Sequence, residues 1–108
     1  MNPGVYRQYL HYKSDPNNYI ILATGRLTKL ENEVKEILSK HNLEFDNIYL
    51  NPGMDTLRFK INLFENLIDK KKPDEFILFD DREPHLEKFR IWADSQKCRV
   101  TVVDAKKL

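Results

Sequence analysis

Four short apolar runs alternate with four stretches in which apolar residues recur every three or four positions, and that alternation organises the whole chain. The runs are YIILA (19–23), Ile48-Tyr49-Leu50, Phe76 to Phe79, and RVTVV (99–103). The first is short and apolar throughout, as a strand buried on both faces is, and the other three read as further short strands. Between the first two, Thr28 and Glu31 stand in the spacing of a capping box, followed by Leu30, Val34, Ile37 and Leu38 on one helical face that His41-Asn42 closes. After the turn Asn51-Pro52-Gly53, Asp55 can cap a helix carrying Leu57, Ile61, Phe64 and Ile68 in line, with Lys71, Lys72 and Pro73 ending it. Pro84 suits the first turn of a helix bearing Leu86, Phe89, Trp92 and Ala93. Before the first strand, Val5, Tyr6, Tyr9 and Leu10 are spaced as on a helix within residues 1–18.

Strands alternating with helices at this spacing predict an α/β layered fold, with a parallel sheet and right-handed crossovers. In such sheets ligands bind beyond the carboxyl ends of the strands. Two polar clusters fall there: Thr24-Gly25-Arg26 after the first strand and Asp80-Asp81-Arg82 after the third.

At 108 residues the chain has the length of one small domain, expected to span 1–108 with a core over 19–104. The 18 Lys+Arg and 17 Asp+Glu leave a net charge of +1, so the overall balance demands neither nucleic acid nor an acidic partner. The single cysteine, Cys98, has no internal disulfide partner, which fits a reducing, intracellular (cytoplasmic) setting. No apolar run approaches the roughly 20 residues of a membrane span, so no membrane partner is expected.

The chemistry lies in the strand-end clusters. Adjacent carboxylates repel and are most easily held ionised together by a cation, and oxygen-only ligands favour Mg²⁺, which makes Asp80 and Asp81 a magnesium half-site. The other reading is that Asp81 caps the next helix while Asp80 accepts backbone N–H bonds. Thr24 offers a hydroxyl, Gly25 lets backbone approach a ligand, and Arg26 supplies a fork that fits phosphate oxygens. Lys60, at the edge of the apolar stripe between Leu57 and Phe64, either neutralises a phosphate or snorkels. His85 shares a helical face with Phe89 and Trp92, a packing position more than an acid or base. Lys70-Lys71-Lys72 reads as a solvated helix end, with nucleic-acid contact as the minor alternative.

Taken in order, the strand with Thr-Gly-Arg, the helical Lys60 and the strand with Asp-Asp-Arg resemble the haloacid dehalogenase (HAD) superfamily of phosphotransferases over about residues 19–104. More narrowly, ILATGR, TLRFK and FDDREPHLEKF resemble the HAD domain of Swiss-army-knife RNA repair proteins, and polynucleotide 3′-phosphatases carry a related Asp-Asp-Arg segment. The resemblance implies a three-layer Rossmann-like sheet with helices on both faces, and a Mg²⁺-dependent phosphatase. In it Thr24 and Lys60 would be catalytic and, with Gly25, Arg26 and Arg82, would bind phosphate, while Asp80 and Asp81 would anchor Mg²⁺. The implied partner is a phosphorylated substrate such as a nucleic-acid 3′-phosphate end.

One motif of the superfamily is missing. Its members begin with a strand ending in Asp-x-Asp, the nucleophile and the general acid/base, and this sequence contains no Asp-x-Asp. In the family that strand is central, between the Thr-bearing and Asp-Asp-bearing strands, and residues 1–18 match the helix after it. Without it those two strands must pair directly, or a second chain, a further copy in a homo-oligomer or a preceding segment must fill the slot. The expectation is a phosphatase domain inactive in isolation, or else a non-catalytic phosphate- or partner-binding module.

Overall fold

In a computed structural model, residues 3–108 are described. Four helices alternate with four strands, in the order α1 (Pro3–Lys13), β1 (Ile21–Leu27), α2 (Glu31–Lys40), β2 (Asn47–Asn51), α3 (Thr56–Lys71), β3 (Glu75–Asp80), α4 (Glu83–Ala93) and β4 (Arg99–Asp104). Every element read from the hydrophobic pattern is present. The strands are parallel, but they form two sheets of two strands each, β1 with β2 and β3 with β4, and neither sheet takes a third strand among the described residues. The Thr-bearing and Asp-Asp-bearing strands therefore do not pair with each other. No described helix is long and apolar enough to cross a membrane.

The chain gathers into two compact units: residues 12–60, and the described residues up to His11 together with 61–108. In the first unit Val34, Leu38 and Phe59 are the buried apolar side chains among the described residues. The amino ends of those strands are fastened by Asp46, whose N–H donates to the Ile20 carbonyl and whose Oδ2 accepts the Ile20 N–H. In the second unit Phe64, Leu67, Ile68, Leu78, Leu86, Phe89 and Trp92 form the core, with Leu86 and Phe89 wholly buried. Phe64 is its aromatic hub, 5.3 Å from the Phe76 ring, 5.9 Å from Phe89 and 6.1 Å from Trp92, all tilted as ring quadrupoles prefer. The indole N–H of Trp92 donates to Glu65 Oε1 at 2.9 Å, so its polar atom is satisfied at the rim.

Local signals hold in part. Asp55 Oδ2 accepts the Arg58 N–H at 3.1 Å, the expected cap of α3. Asn42 and Lys72 turn to positive φ just after α2 and α3, where helix ends commonly do so. The Thr28 capping box does not form. Residues Thr28–Leu30 make a 3₁₀ turn, α2 starts at Glu31, and the Thr28 hydroxyl instead donates to the Asn51 carbonyl across the strand pair. On α2 the buried residues are Val34 and Leu38, while Ile37 is exposed. Strand β1 also runs past the apolar run through Thr24-Gly25-Arg26, the stretch expected to be loop.

Candidate functional site

The carboxyl end of β1 is irregular. Thr24 pairs with Leu50 and Leu27 pairs with Asn51, so Gly25 and Arg26 are two extra residues bulging from a ladder otherwise in register. Bulges of this kind re-aim a strand end. Within it Thr24 Oγ1 accepts the Arg26 N–H at 3.2 Å. A hydroxyl has one hydrogen to donate besides its lone pairs, so this bond uses the acceptor side of Thr24. Gly25 is required sterically, because a Cβ there would lie 2.9 Å from both Cγ2 and Oγ1 of Thr56 at the start of α3. Arg26 is exposed, and Lys60, in the second turn of α3, is half-buried next to the buried Phe59. Thr24, Gly25, Arg26 and Lys60 all belong to the unit of residues 12–60.

The turn after β2 is tied down by a side chain that sequence reading passed over. Asn51, only 2% exposed, accepts the Gly53 and Met54 N–H groups on Oδ1 at 2.9 and 2.8 Å and donates Nδ2 to the Met54 carbonyl at 2.6 Å. An asparagine opening Asn-Pro-Gly was the available signal, since such residues bond the backbone two positions on.

Asp80 and Asp81, in the other unit, part company. Asp80 ends β3 nearly buried, and its Oδ1 accepts the Arg82 N–H at 2.9 Å. Asp81 is exposed and does not cap α4, whose N-cap is Arg82 with no side-chain bond to the helix. The capping alternative thus holds for the backbone bond of Asp80 and fails for Asp81. Arg82 turns its main chain to the helix start, its carbonyl accepting the His85 and Leu86 N–H groups. His85 sits edge-on to Phe89, 6.3 Å between centroids, and its buried Nδ1 has no hydrogen-bond partner. The packing reading of His85 agrees with this placement.

A second acid that sequence reading missed stands beside Asp80. Asp104 ends β4, is 7% exposed, is the direct partner of Asp80 in the ladder, and accepts the Lys106 N–H on Oδ1 at 3.0 Å. The signal was the parallel wording of ILFD and TVVD at the ends of two strands. Carboxylate oxygens are donors of the kind magnesium takes, and magnesium keeps several waters when protein ligands are few. Among the described residues no group of three or more His, Cys, Asp or Glu side chains could by itself hold a metal ion. A small depression of about 210 Å³ beside Ile68, Pro73 and Cys98 lies at the opposite, amino end of β3 and β4.

A model of the family described as HAD domain family 1 in Swiss Army Knife RNA repair proteins matches residues 2–106, nearly the whole chain. The chain belongs to that family. No curated protein and no solved structure matches it. The alternating parallel α/β order is consistent with a HAD-like, Rossmann-type fold. In open α/β sheets ligands bind beyond the carboxyl ends of the strands.

Proposed function

We infer that this HAD domain carries the phosphate- and metal-holding edges of a Mg²⁺-dependent phosphomonoester hydrolase acting on RNA or other polynucleotide ends. The observation that carries the reading is the bulge at Thr24-Gly25-Arg26. Thr24 Oγ1 accepts the Arg26 N–H, which leaves its hydroxyl hydrogen to donate, the polarity that a phosphoryl oxygen needs. Arg26 and Lys60 supply positive charge on the same unit. At the end of β3, Asp80 and Asp81 would hold the magnesium, whose role when bound is to neutralise charge on the phosphoryl group. The Oδ1 bond to the Arg82 N–H fixes the orientation of Asp80 before any ligand arrives, and Arg82 follows as a further positive charge.

The nucleophile is not among these 108 residues, which contain no Asp-x-Asp. Among the described residues β1 pairs with β2 and β3 with β4, and a further strand from a second chain, another copy or another segment would have to bring the nucleophile. The 108 residues should therefore bind without turning substrate over. The same missing motif favours a second reading, a non-catalytic phosphate-binding module.

The test is titration of the chain with Mg²⁺ and a nucleoside 3′-monophosphate by NMR, alongside a phosphate-release assay on an RNA 3′-phosphate. Shifts at Thr24, Lys60 and Asp80 without release are expected. Mg²⁺-dependent release that Asp80→Ala abolishes would reveal an unrecognised nucleophile, and an absence of shifts would remove both readings.

A further inference from the structure

Asn51 is the most deeply buried polar side chain among the described residues, and what it joins gives it a role beyond packing. Its backbone closes the bulge: Leu27 returns to register opposite Asn51, and the Asn51 carbonyl accepts the Thr28 hydroxyl at 3.3 Å. Its side chain holds the next turn through three bonds to Gly53 and Met54. That turn delivers Asp55, the cap of α3, and then Thr56, whose methyl and hydroxyl lie so close to Gly25 that no Cβ fits. The path from bulge to turn to helix start and back to the bulge is closed, and Asn51 is bonded to both arms. All of it lies within residues 12–60.

We propose that Asn51 is the positioning residue of the anion-holding edge, setting the Thr24-Gly25-Arg26 bulge against the start of α3. The proposal rests on the reading of that bulge as a phosphate edge. Only a side-chain amide meets the demand here, accepting two N–H groups on one atom and donating to a carbonyl with the other. An ionised carboxylate of the same shape keeps the acceptor but brings an oxygen against the Met54 carbonyl oxygen, where the native contact is 2.6 Å. A protonated carboxyl restores the donor. Asn51→Asp is therefore a break that acid repairs, and burial against a carbonyl favours the protonated form.

The experiment is binding of inorganic sulfate, whose charge is constant over the range used, to the 108-residue chain, read from the amide resonances of Thr24, Gly25 and Arg26. Resonances of α2, in the same unit, report that residues 12–60 are folded in each variant. In Asn51→Asp, sulfate affinity is expected to fall about tenfold at pH 7.5 and to recover toward wild type at pH 5, while Asn51→Ala stays weak at both. Thr28→Val, which removes the hydroxyl bond to the Asn51 carbonyl and leaves the amide alone, is expected to weaken binding about threefold. This second variant decides the matter if Asn51→Asp does not fold at pH 7.5.

A purely structural role for Asn51 would change the unfolding midpoint but leave the affinity of the folded fraction, and its pH profile, as in wild type. That result, or wild-type affinity in both Asn51→Asp and Thr28→Val, overturns the proposal alone. A wild-type chain that shows no sulfate response removes the phosphate edge itself and the proposal with it.

Discussion

Asp80 and Asp104 are direct partners at the carboxyl ends of two parallel strands, both nearly buried and each giving one carboxylate oxygen to an N–H two residues on. Two carboxylates side by side and partly dehydrated repel each other unless a cation sits between them. Asp80→Asn keeps the acceptor for the Arg82 N–H and removes one charge. Without magnesium this variant is expected to be at least as stable as wild type in urea titrations. At Mg²⁺ ten times its dissociation constant, wild type should gain about 1.4 kcal/mol by mass action and Asp80→Asn nothing. A magnesium-dependent gain preserved in Asp80→Asn would detach the metal from this strand end.

The contact between Gly25 and Thr56 gives a sharper expectation, because the obstacle is a stiff, β-branched side chain. A Cβ at position 25 would sit 2.9 Å from both Thr56 Cγ2 and Oγ1, but 3.5 Å from its Cβ. Gly25→Ala is expected to cost about 1–3 kcal/mol, the usual range for overpacking. Thr56→Ala removes the two clashing atoms and leaves ordinary contact. In the double variant most of the loss should return, a coupling of at least about 1 kcal/mol in a double-mutant cycle. Additive losses would mean that Gly25 is needed for some reason other than Thr56.

The order of elements was legible because YIILA and FILF are continuous apolar runs in a chain that is 32% charged, although the strands they form are mostly half-buried, with Leu78 the strand side chain that joins the buried apolar core among the described residues. Asp80 was legible as a strand-end residue for the same reason, whereas β1 continues past Thr24 to Leu27. What could not be read were features that depend on a partner distant in sequence. Thr28 and Glu31 have the spacing of a capping box, yet the hydroxyl finds the Asn51 carbonyl 23 positions away. Gly25 and Arg26 look like loop because neither favours a strand, and only pairing with β2 on both sides makes them a bulge. Asp104 was hidden as the last residue of an apolar run, and its importance comes from standing opposite Asp80.

His85 tests the cost of a buried polar atom. Its Nδ1 is buried without a partner while its ring meets Phe89 edge-on. An unsatisfied buried group costs about 1–3 kcal/mol, and an apolar ring of similar shape avoids that cost while keeping the aromatic contact. His85→Phe is expected to be more stable by about 1 kcal/mol, which thermal denaturation would show as a midpoint raised by several degrees. A lower midpoint would show that the imidazole makes an interaction, through water or a ligand, that the ring contact does not account for.

Tyr49 should make stability fall in base. Burial, and then its hydrogen bond and charge interaction with Tyr19, hold its phenol above the ordinary value of 10.0, against a smaller opposing effect from the Asn47 amide, which donates to its oxygen at 3.2 Å. A phenol that binds its proton more tightly in the folded chain contributes stability that is fully present below the unfolded value. That contribution is lost as pH rises from there through the folded value, because the unfolded chain then carries fewer protons than the native one. Tyr49→Phe has no proton to lose. The Phe variant should therefore gain on wild type as pH climbs past about 10, with the lysines and the tyrosines other than Tyr19 cancelling in the difference. Urea midpoints for the two proteins measured between about pH 8 and 11 would show the curves converging or crossing. A difference that stays constant with pH would place Tyr49 in a solvated setting in which Tyr19 exerts no hold on it.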